Sequence, residues 1–290
     1  MVRSRLYLQS RLLCTCLVLC LGTRVEANLL SSCGNVFEEQ DSLIFLEKYN
    51  IAASGGNMAQ KTLAIAKSFL RTPYISGTLD IHPSERLVIN LRALDCWTLV
   101  ENSLAIALTS KDQGNFETYR HYVQQLRYWG GVIKGYGSRI HYFTGWVIQA
   151  QQLGFLRDLT QSFGGVPFNK EINYISLHAD KYPKIRESNA LKSIQLSEKR
   201  VSAHHWYFIP KAKIKSIEHL IQEGDLLLLT STKRGLDISH EGFAVRQNGR
   251  IHLLHASSLH RKAIISGQPL AEYMKGQKGQ SGIIILRLNN

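Results

Sequence analysis

The 290-residue sequence predicts an α+β fold, a helical N-terminal half followed by an antiparallel sheet. Three observations carry this expectation. Apolar residues recur at three- and four-residue intervals in several segments before residue 155. From about residue 205 the pattern changes to short β-rich runs bounded by Gly, Lys and Asn. One pair of these runs is joined by Asn248-Gly249, the strongest two-residue hairpin signal. The composition, 44% hydrophobic, supplies enough apolar surface for a sizeable core.

The elements follow in order. Arg3, Arg5 and Arg11 precede an apolar stretch over 12–21, and Val25-Glu26-Ala27 ends the region with small residues where a signal peptidase reads. This is the pattern of a secretory signal peptide covering residues 1–27, too short in its apolar part to span a bilayer. Leu30-Ser31-Ser32-Cys33 offers a second processing site resembling the box before a lipidated cysteine. The polar stretch 23–28 separates it from the apolar run, which favours simple cleavage near Ala27. Residues 28–56 are expected to form an N-terminal leader with a helix over 38–49, and 57–290 a single domain. Within that domain, helices are expected over 58–70, from Cys96 within the stretch 93–108, over 116–128 and over 141–153. Thr72-Pro73 and Gly130-Gly131 follow the ends of two of them. A helical insert occupies about 110–205. The runs "HWYFIP", "GDLLLLTS", "EGFAVRQ", "RIHLLHAS" and "GIIILRL" supply the strands.

The net charge is +13, and removal of 1–27 leaves 31 basic against 21 acidic residues. The charge is spread along the chain, with no aromatic-basic RNA motif, helix-turn-helix signal or zinc-finger spacing, so a nucleic-acid partner is not expected. Of five cysteines, Cys14, Cys16 and Cys20 leave with the signal peptide. Cys33 and Cys96 either bridge or leave Cys96 as a free thiol kept for chemistry. A bridge would tie the N-terminal segment to the start of a core helix.

The stretch "ALDCWTLVENSLAIAL" places that thiol at the head of its helix, with Trp97, Val100, Leu104 and Leu108 forming one buried stripe. Asp95 is a good N-cap, because its carboxylate accepts from the free amides of the first turn. The exposed amides and the positive helix end are expected to lower the pKa of Cys96 and to receive an oxyanion. This is a better position for a nucleophile than for a packing residue.

A nucleophile needs a base, and eleven histidines along the chain leave the choice open. The hairpin narrows it. With Asn248-Gly249 as the two-residue loop, His240 faces Ser257 and His255 faces Gly242. Side chains alternate along strands, so His240 and His255 share a face as diagonal neighbours, roughly 7–8 Å apart at the backbone. His252 points the other way. Two imidazoles can then serve as base and orienter for a cysteine. A zinc site lacks a fourth ligand at metal-like spacing.

The ordered motifs "RTPYISG", "LDCWTLVEN", "EGDLLLL", "SHEGFAV" and "LLHASS" resemble the NlpC-type cysteine peptidases of bacterial cell walls, which have a papain-like fold. "SRIHYFTGWV" and "GLDISHEG" resemble the N-acetylmuramoyl-L-alanine amidase-like branch, formerly a domain of unknown function. The resemblance covers about residues 60–290. It implies Cys96 as nucleophile, His240 as general base and His255 as the residue orienting it. It implies Tyr74 beside the oxyanion and substrate, and Asp95 in recognition of the substrate. Trp97 stands where the wider family has a small residue and is expected to reshape the cleft. Arg139 and His141 are candidates for sugar or carboxylate contacts, and Asp237 for a substrate contact or a loop cap.

The resulting expectation is an enzyme of the periplasm or the secreted fraction, a monomer that needs no metal or organic cofactor. Its substrate is peptidoglycan or a muropeptide, cut between N-acetylmuramic acid and L-alanine, and a membrane tether arises only if Cys33 is lipidated. The alternatives are a stem-peptide endopeptidase and a non-catalytic wall-binding protein.

Overall fold

The structure, a computed structural model, describes residues 35–186 and 189–290. The expected signal peptide and Cys33 lie outside them. The chain opens with β1 (Asn35–Val36), α1 (Glu39–Ala53), α2 (Met58–Ser68) and β2 (Leu87–Val88), which pairs in parallel with β1. α3 (Cys96–Lys111), α4 (Phe116–Arg127) and α5 (Phe143–Gln152) follow. Then come β3 (Leu156–Asp158), β4 (Val166–Pro167), α6 (Tyr174–Leu177) and α7 (Ala190–Ser202). The C-terminal part is β5 (Tyr207–Pro210), α8 (Lys211–Ile217), β6 (Leu226–Ser231), β7 (Ile238–Gln247), β8 (Arg250–Ser257), β9 (Lys262–Ile265), α9 (Leu270–Gly276) and β10 (Gln280–Leu288).

The main sheet runs β4-β5-β10-β6-β7-β8-β9, with β3 also paired to β10, and every pairing in it is antiparallel. Side chains alternate across it and feed two cores. Leu226, Leu228, Phe243, Val245, Leu254 and Ile284 join the helices of the N-terminal half. Leu227, Leu229, Ala244, Ile251, Leu253 and Ile283 pack with Ile214 of α8 and with Leu270 and Met274 of α9. Covered on both faces, β6 is buried at every position, which is why "LLLLTS" reads as a continuous apolar run. Among the described residues no helix is long and apolar enough to cross a membrane.

Two sequence expectations change. α3 is not a helix with one buried stripe: every residue from Thr98 to Ser110 is buried, because α1, α2 and α4 surround it while β7 and β8 back it. Its polar residues Ser103 and Thr109 turn inward to the helix, each donating to the carbonyl four residues back. The region 110–205 is also not purely helical, since β3 extends the main sheet along β10 and β4 pairs with β5. The hairpin, by contrast, has the register set by Asn248-Gly249: Phe243 pairs with Leu254 and Gln247 with Arg250. Both loop residues have positive φ, 49° and 77°, as a tight hairpin turn of this type requires.

Candidate active site

Cys96 is a free thiol at the first position of α3. Asp95 Oδ1 accepts from the Thr98 amide at 2.8 Å, and Thr98 Oγ1 accepts from the Asp95 amide at 2.9 Å. This reciprocal cap fixes the entry of the helix and the direction of the Cα–Cβ bond of Cys96. The segment 71–77 lies alongside. The Tyr74 amide donates to Arg261 O at 2.9 Å, and the Ile75 amide to Leu94 O at 3.2 Å. Tyr74 is thereby close enough to feel the charge of Cys96, Asp95 and Glu241. Burial first and those acids second push its hydroxyl up to about 12, so it remains a donor at neutral pH.

The predicted imidazole pair is present. His240 Nε2 and His255 Nδ1 lie 2.6 Å apart, with ring planes nearly perpendicular at 89°. Gly242 makes room for the pair. A Cβ there would stand 2.3 Å from Leu254 O and 3.1 Å from His255 Cβ, so no other residue fits the strand at that point. Since Nε2 of His240 is engaged by His255, Nδ1 is the nitrogen left to take a proton from elsewhere. His255 Nε2 is buried without a partner. The pair lines a cavity of about 600 Å³ together with Ser257, His260, Gln268 and Tyr273. The Tyr273 ring stands 5.7 Å from that of His255.

Electrostatics corrects one expectation. The thiol is not lowered by the helix end. Burial, then the negative charge of Glu241 and Asp95, pushes it well above the usual range. Burial also takes His240 down to about 4, and burial with the neighbouring His240 takes His255 down to about 3. The thiol and the two imidazoles are therefore neutral at rest. A thiolate forms only as its proton moves.

The other predicted residues divide into two groups. Trp97 borders a second cavity of about 370 Å³, shared with Asp95, Tyr136, Tyr174 and Tyr182. Its indole is held on Glu101 Oε1 at 3.4 Å and against the Phe143 ring at 4.9 Å, and Glu101 is in turn bound by Arg127. Arg139 and His141 line the same cavity but are already partnered. The guanidinium pairs with Asp80, stands 3.6 Å from Glu85 and lies 4.9 Å from the Tyr136 ring centre. His141 Nε2 is 2.9 Å from Tyr136 O, and burial followed by the Arg139 charge lowers the imidazole to about 3. Asp237 lies in the interior. Its Oδ2 accepts from the Thr144 amide at 2.9 Å and the Thr144 hydroxyl at 2.6 Å, tying the first turn of α5 to the strand that carries His240. It caps; it does not face a substrate.

Three residues escaped sequence reasoning. Glu101 follows Trp97 by four positions, a spacing that could have paired them. Glu241 is a carboxyl in an apolar strand, "EGFAV", and its charge contributes to raising the Cys96 thiol. Tyr273 comes from α9 and carries no local signal. Among the described residues no cluster of three or more His, Cys, Asp or Glu is arranged to hold a metal ion.

A capped-helix thiol and a bonded imidazole pair are the groups that a thiol-dependent acyl transfer would need. Comparison with known proteins makes the assignment narrower: residues 64–283 match the AmiA-like family, described as N-acetylmuramoyl-L-alanine amidase-like, and the chain belongs to it. A solved N-acetylmuramoyl-L-alanine amidase from Bacteroides uniformis superposes with a TM-score of 0.77 at 32% identity, over 81% of this chain and 100% of that one. A Bacteroides fragilis protein provisionally named a xylanase gives 0.72 at 33% identity, over 77% and 98%. A Legionella pneumophila protein shares the fold, with a TM-score of 0.66 at 22% identity, over 87% and 95%. The search of curated proteins returned no match.

Proposed function

We propose that the protein is a cysteine amidase of peptidoglycan fragments, cutting the amide between the lactyl group of N-acetylmuramic acid and the L-alanine of the stem peptide. The observation that carries this reading is the His240–His255 bond on the hairpin of a family member whose only described cysteine heads a capped helix. The fold relationship we infer is to the papain-like NlpC hydrolases. Residues 57–290 would form the catalytic domain, reached after removal of a signal peptide at 1–27. The protein would act as a monomer in the periplasm or outside the cell, tethered only if Cys33 is lipidated.

The chemistry follows from the neutral resting state. His240 carries its proton on Nε2, donated to His255 Nδ1, and offers the bare Nδ1 to the thiol. As Cys96 Sγ attacks the lactyl carbonyl carbon, its proton passes to His240 Nδ1. The free amides of the first turn of α3 and the Tyr74 hydroxyl receive the oxyanion. The imidazolium then protonates the alanine nitrogen, the C–N bond breaks and a thioester remains on Cys96. Water, deprotonated by His240, attacks the thioester, releases the muramic carboxylate and restores the thiol. The bonded His255 holds the ring in the productive tautomer throughout.

Trp97, with Tyr136, Tyr174 and Tyr182, gives the side of the cleft next to Asp95 aromatic faces suited to a sugar ring. Digestion of defined muropeptides, followed by mass spectrometry, tests the bond. The amidase frees an intact peptide beginning with L-alanine. A dipeptide ending in D-glutamate would support a stem-peptide endopeptidase instead, and a new reducing sugar end would support a glycosidase.

A further inference from the structure

We propose that Tyr273 is a positioning residue for the imidazole pair: its ring, packed on His255, selects the tautomer in which His240 keeps Nδ1 bare. The consequence for hydrolysis rests on His240 being the base, whereas the tautomer itself does not.

The placement begins with the sheet. His255 falls on the same face of β8 as Ile251 and Leu253, the face that α8 and α9 cover. Leu270, Ala271 and Met274 bury α9 in that core. The Tyr273 amide donates to Pro269 O at 2.8 Å, and Arg250 Nη2 of β8 donates to Glu272 Oε2 at 3.0 Å. The helix is thereby fixed against the strand that carries His255. The Tyr273 ring meets that of His255 at 5.7 Å between centroids and 61° between planes, an edge-to-face contact. His255 is held between two rings, with His240 on the other at 4.7 Å.

Only one proton can lie in the 2.6 Å contact between His240 Nε2 and His255 Nδ1, so the neutral pair has two arrangements. In the first, His240 donates, its Nδ1 is bare, and the proton of His255 lies on Nε2. In the second, His255 donates from Nδ1, its Nε2 is bare, and the proton of His240 occupies Nδ1, which can then accept no other. What surrounds His255 Nε2 decides between them. That atom is buried and has no hydrogen-bond partner among the described residues, and only 3% of His255 is exposed. Its neighbour on the cavity wall, Ser257, is engaged with His260 Nδ1 at 3.0 Å. A water at Nε2 would serve either arrangement, as donor or as acceptor. The electron-rich face of an aromatic ring serves one, because it attracts an N–H and repels a lone pair. Tyr273, the ring in contact with His255 on that wall, therefore favours the first arrangement.

The test is long-range proton–nitrogen NMR of the full-length protein labelled at histidine, which reports the protonated nitrogen of each ring. Wild type should show His240 bare at Nδ1 and His255 protonated at Nε2, with that proton shifted upfield by the Tyr273 ring. Tyr273→Leu should give a mixture of the two arrangements. It should also lower kcat for muropeptides about two- to fivefold at little-changed KM, the weight of one N–H···π contact. Tyr273→Phe keeps the ring and should restore both readings. Wild type protonated at His240 Nδ1 would overturn the proposal. So would wild-type tautomers in Tyr273→Leu, or Tyr273→Phe behaving as Tyr273→Leu. If Tyr273→Leu does not fold, the wild-type spectrum decides, since a His255 Nε2 proton without the upfield shift contradicts the proposal. The spectra need no substrate, so failure here leaves the amidase reading standing. Conversely, hydrolysis by Cys96→Ala would sink that reading and leave the tautomer selection intact.

Discussion

The surroundings of Arg139 and those of the imidazole pair, which line two different cavities, treat their charged groups in different ways. Around Arg139 the charges are paired: the guanidinium has Asp80, Glu85 and the Tyr136 ring, and His141 has the Tyr136 carbonyl, although Arg139 Nε and Glu85 Oε2 make no hydrogen bond. Around Cys96 they are not: His255 Nε2 has no hydrogen-bond partner, and no salt bridge reaches Glu241 among the described residues. Paired charges hold shape, whereas buried ionisable groups without a counter-charge are where a substrate or a moving proton can be accommodated. The comparison reassigns two predicted residues. Arg139 and His141 reach the cavity, yet their polar atoms already serve the wall. Trp97 is the residue there that keeps an accessible face, propped by Glu101 and Arg127.

Substitutions can break this contrast. Cys96→Ala should lower kcat for muropeptide hydrolysis by at least about 10⁴-fold without loss of folding, since the nucleophile is removed from a satisfied helix cap. His240→Ala should lower kcat by about 10²–10⁴-fold, and His255→Ala by less, with KM nearly unchanged in both. Arg139→Ala should act on the fold instead. Leaving the buried Glu85 without its guanidinium should cost about 3–5 kcal/mol in thermal or denaturant unfolding, while the half-exposed Asp80 keeps Lys184. A rise in KM at unchanged stability would show that the guanidinium binds substrate and that the two surroundings are alike.

The dependence of stability on pH sharpens the picture. His141, His240 and His255 lie at about 3, 4 and 3 when folded, below the ordinary 6.5. As pH falls below 6.5 the unfolded chain takes up these protons first, so stability is full above that value and declines toward pH 3–4. Glu241 works in the other direction. Its folded value of about 8 exceeds the ordinary 4.5, so stability declines as pH rises between the two. Differential scanning calorimetry should show Tm falling by on the order of 5–10 °C from pH 7 to pH 4. Glu241→Gln should raise Tm at pH 8 more than at pH 5. A Tm independent of pH over this range would mean that the buried groups are not neutral. The smallest effect is expected from Trp97→Phe, a few-fold rise in KM for sugar-bearing fragments with kcat preserved.

Much of this site could be read in advance because it is built from local rules. Asp95 before Cys96 is a capping signal, and Asn248-Gly249 dictates a register that puts His240 and His255 on one face. Both depend on a few consecutive residues. What escaped depends on distant ones. The charge state of Cys96 follows from desolvation and from Glu241, more than a hundred residues away, so the helix-end argument pointed the wrong way. Arg139 could be counted as a ligand only while Asp80 and Glu85 were not known to face it. The burial of α3 on all sides was hidden by its many small and polar residues, Ser103, Ala105, Ala107 and Thr109, which allow close packing and satisfy themselves within the helix. Likewise β3 and β4 are two or three residues long, too short to show alternation.

The central claim is that Cys96, a neutral thiol activated only during attack, forms the covalent link to the muramoyl group. Rapid quenching of the protein with an N-acetylmuramoyl-peptide, followed by peptide mass spectrometry, tests it most directly. A muramoyl adduct on the Cys96 peptide, labile to hydroxylamine and accompanied by free peptide beginning with L-alanine, is predicted. Turnover with no adduct on Cys96, retained by Cys96→Ala, would contradict the account.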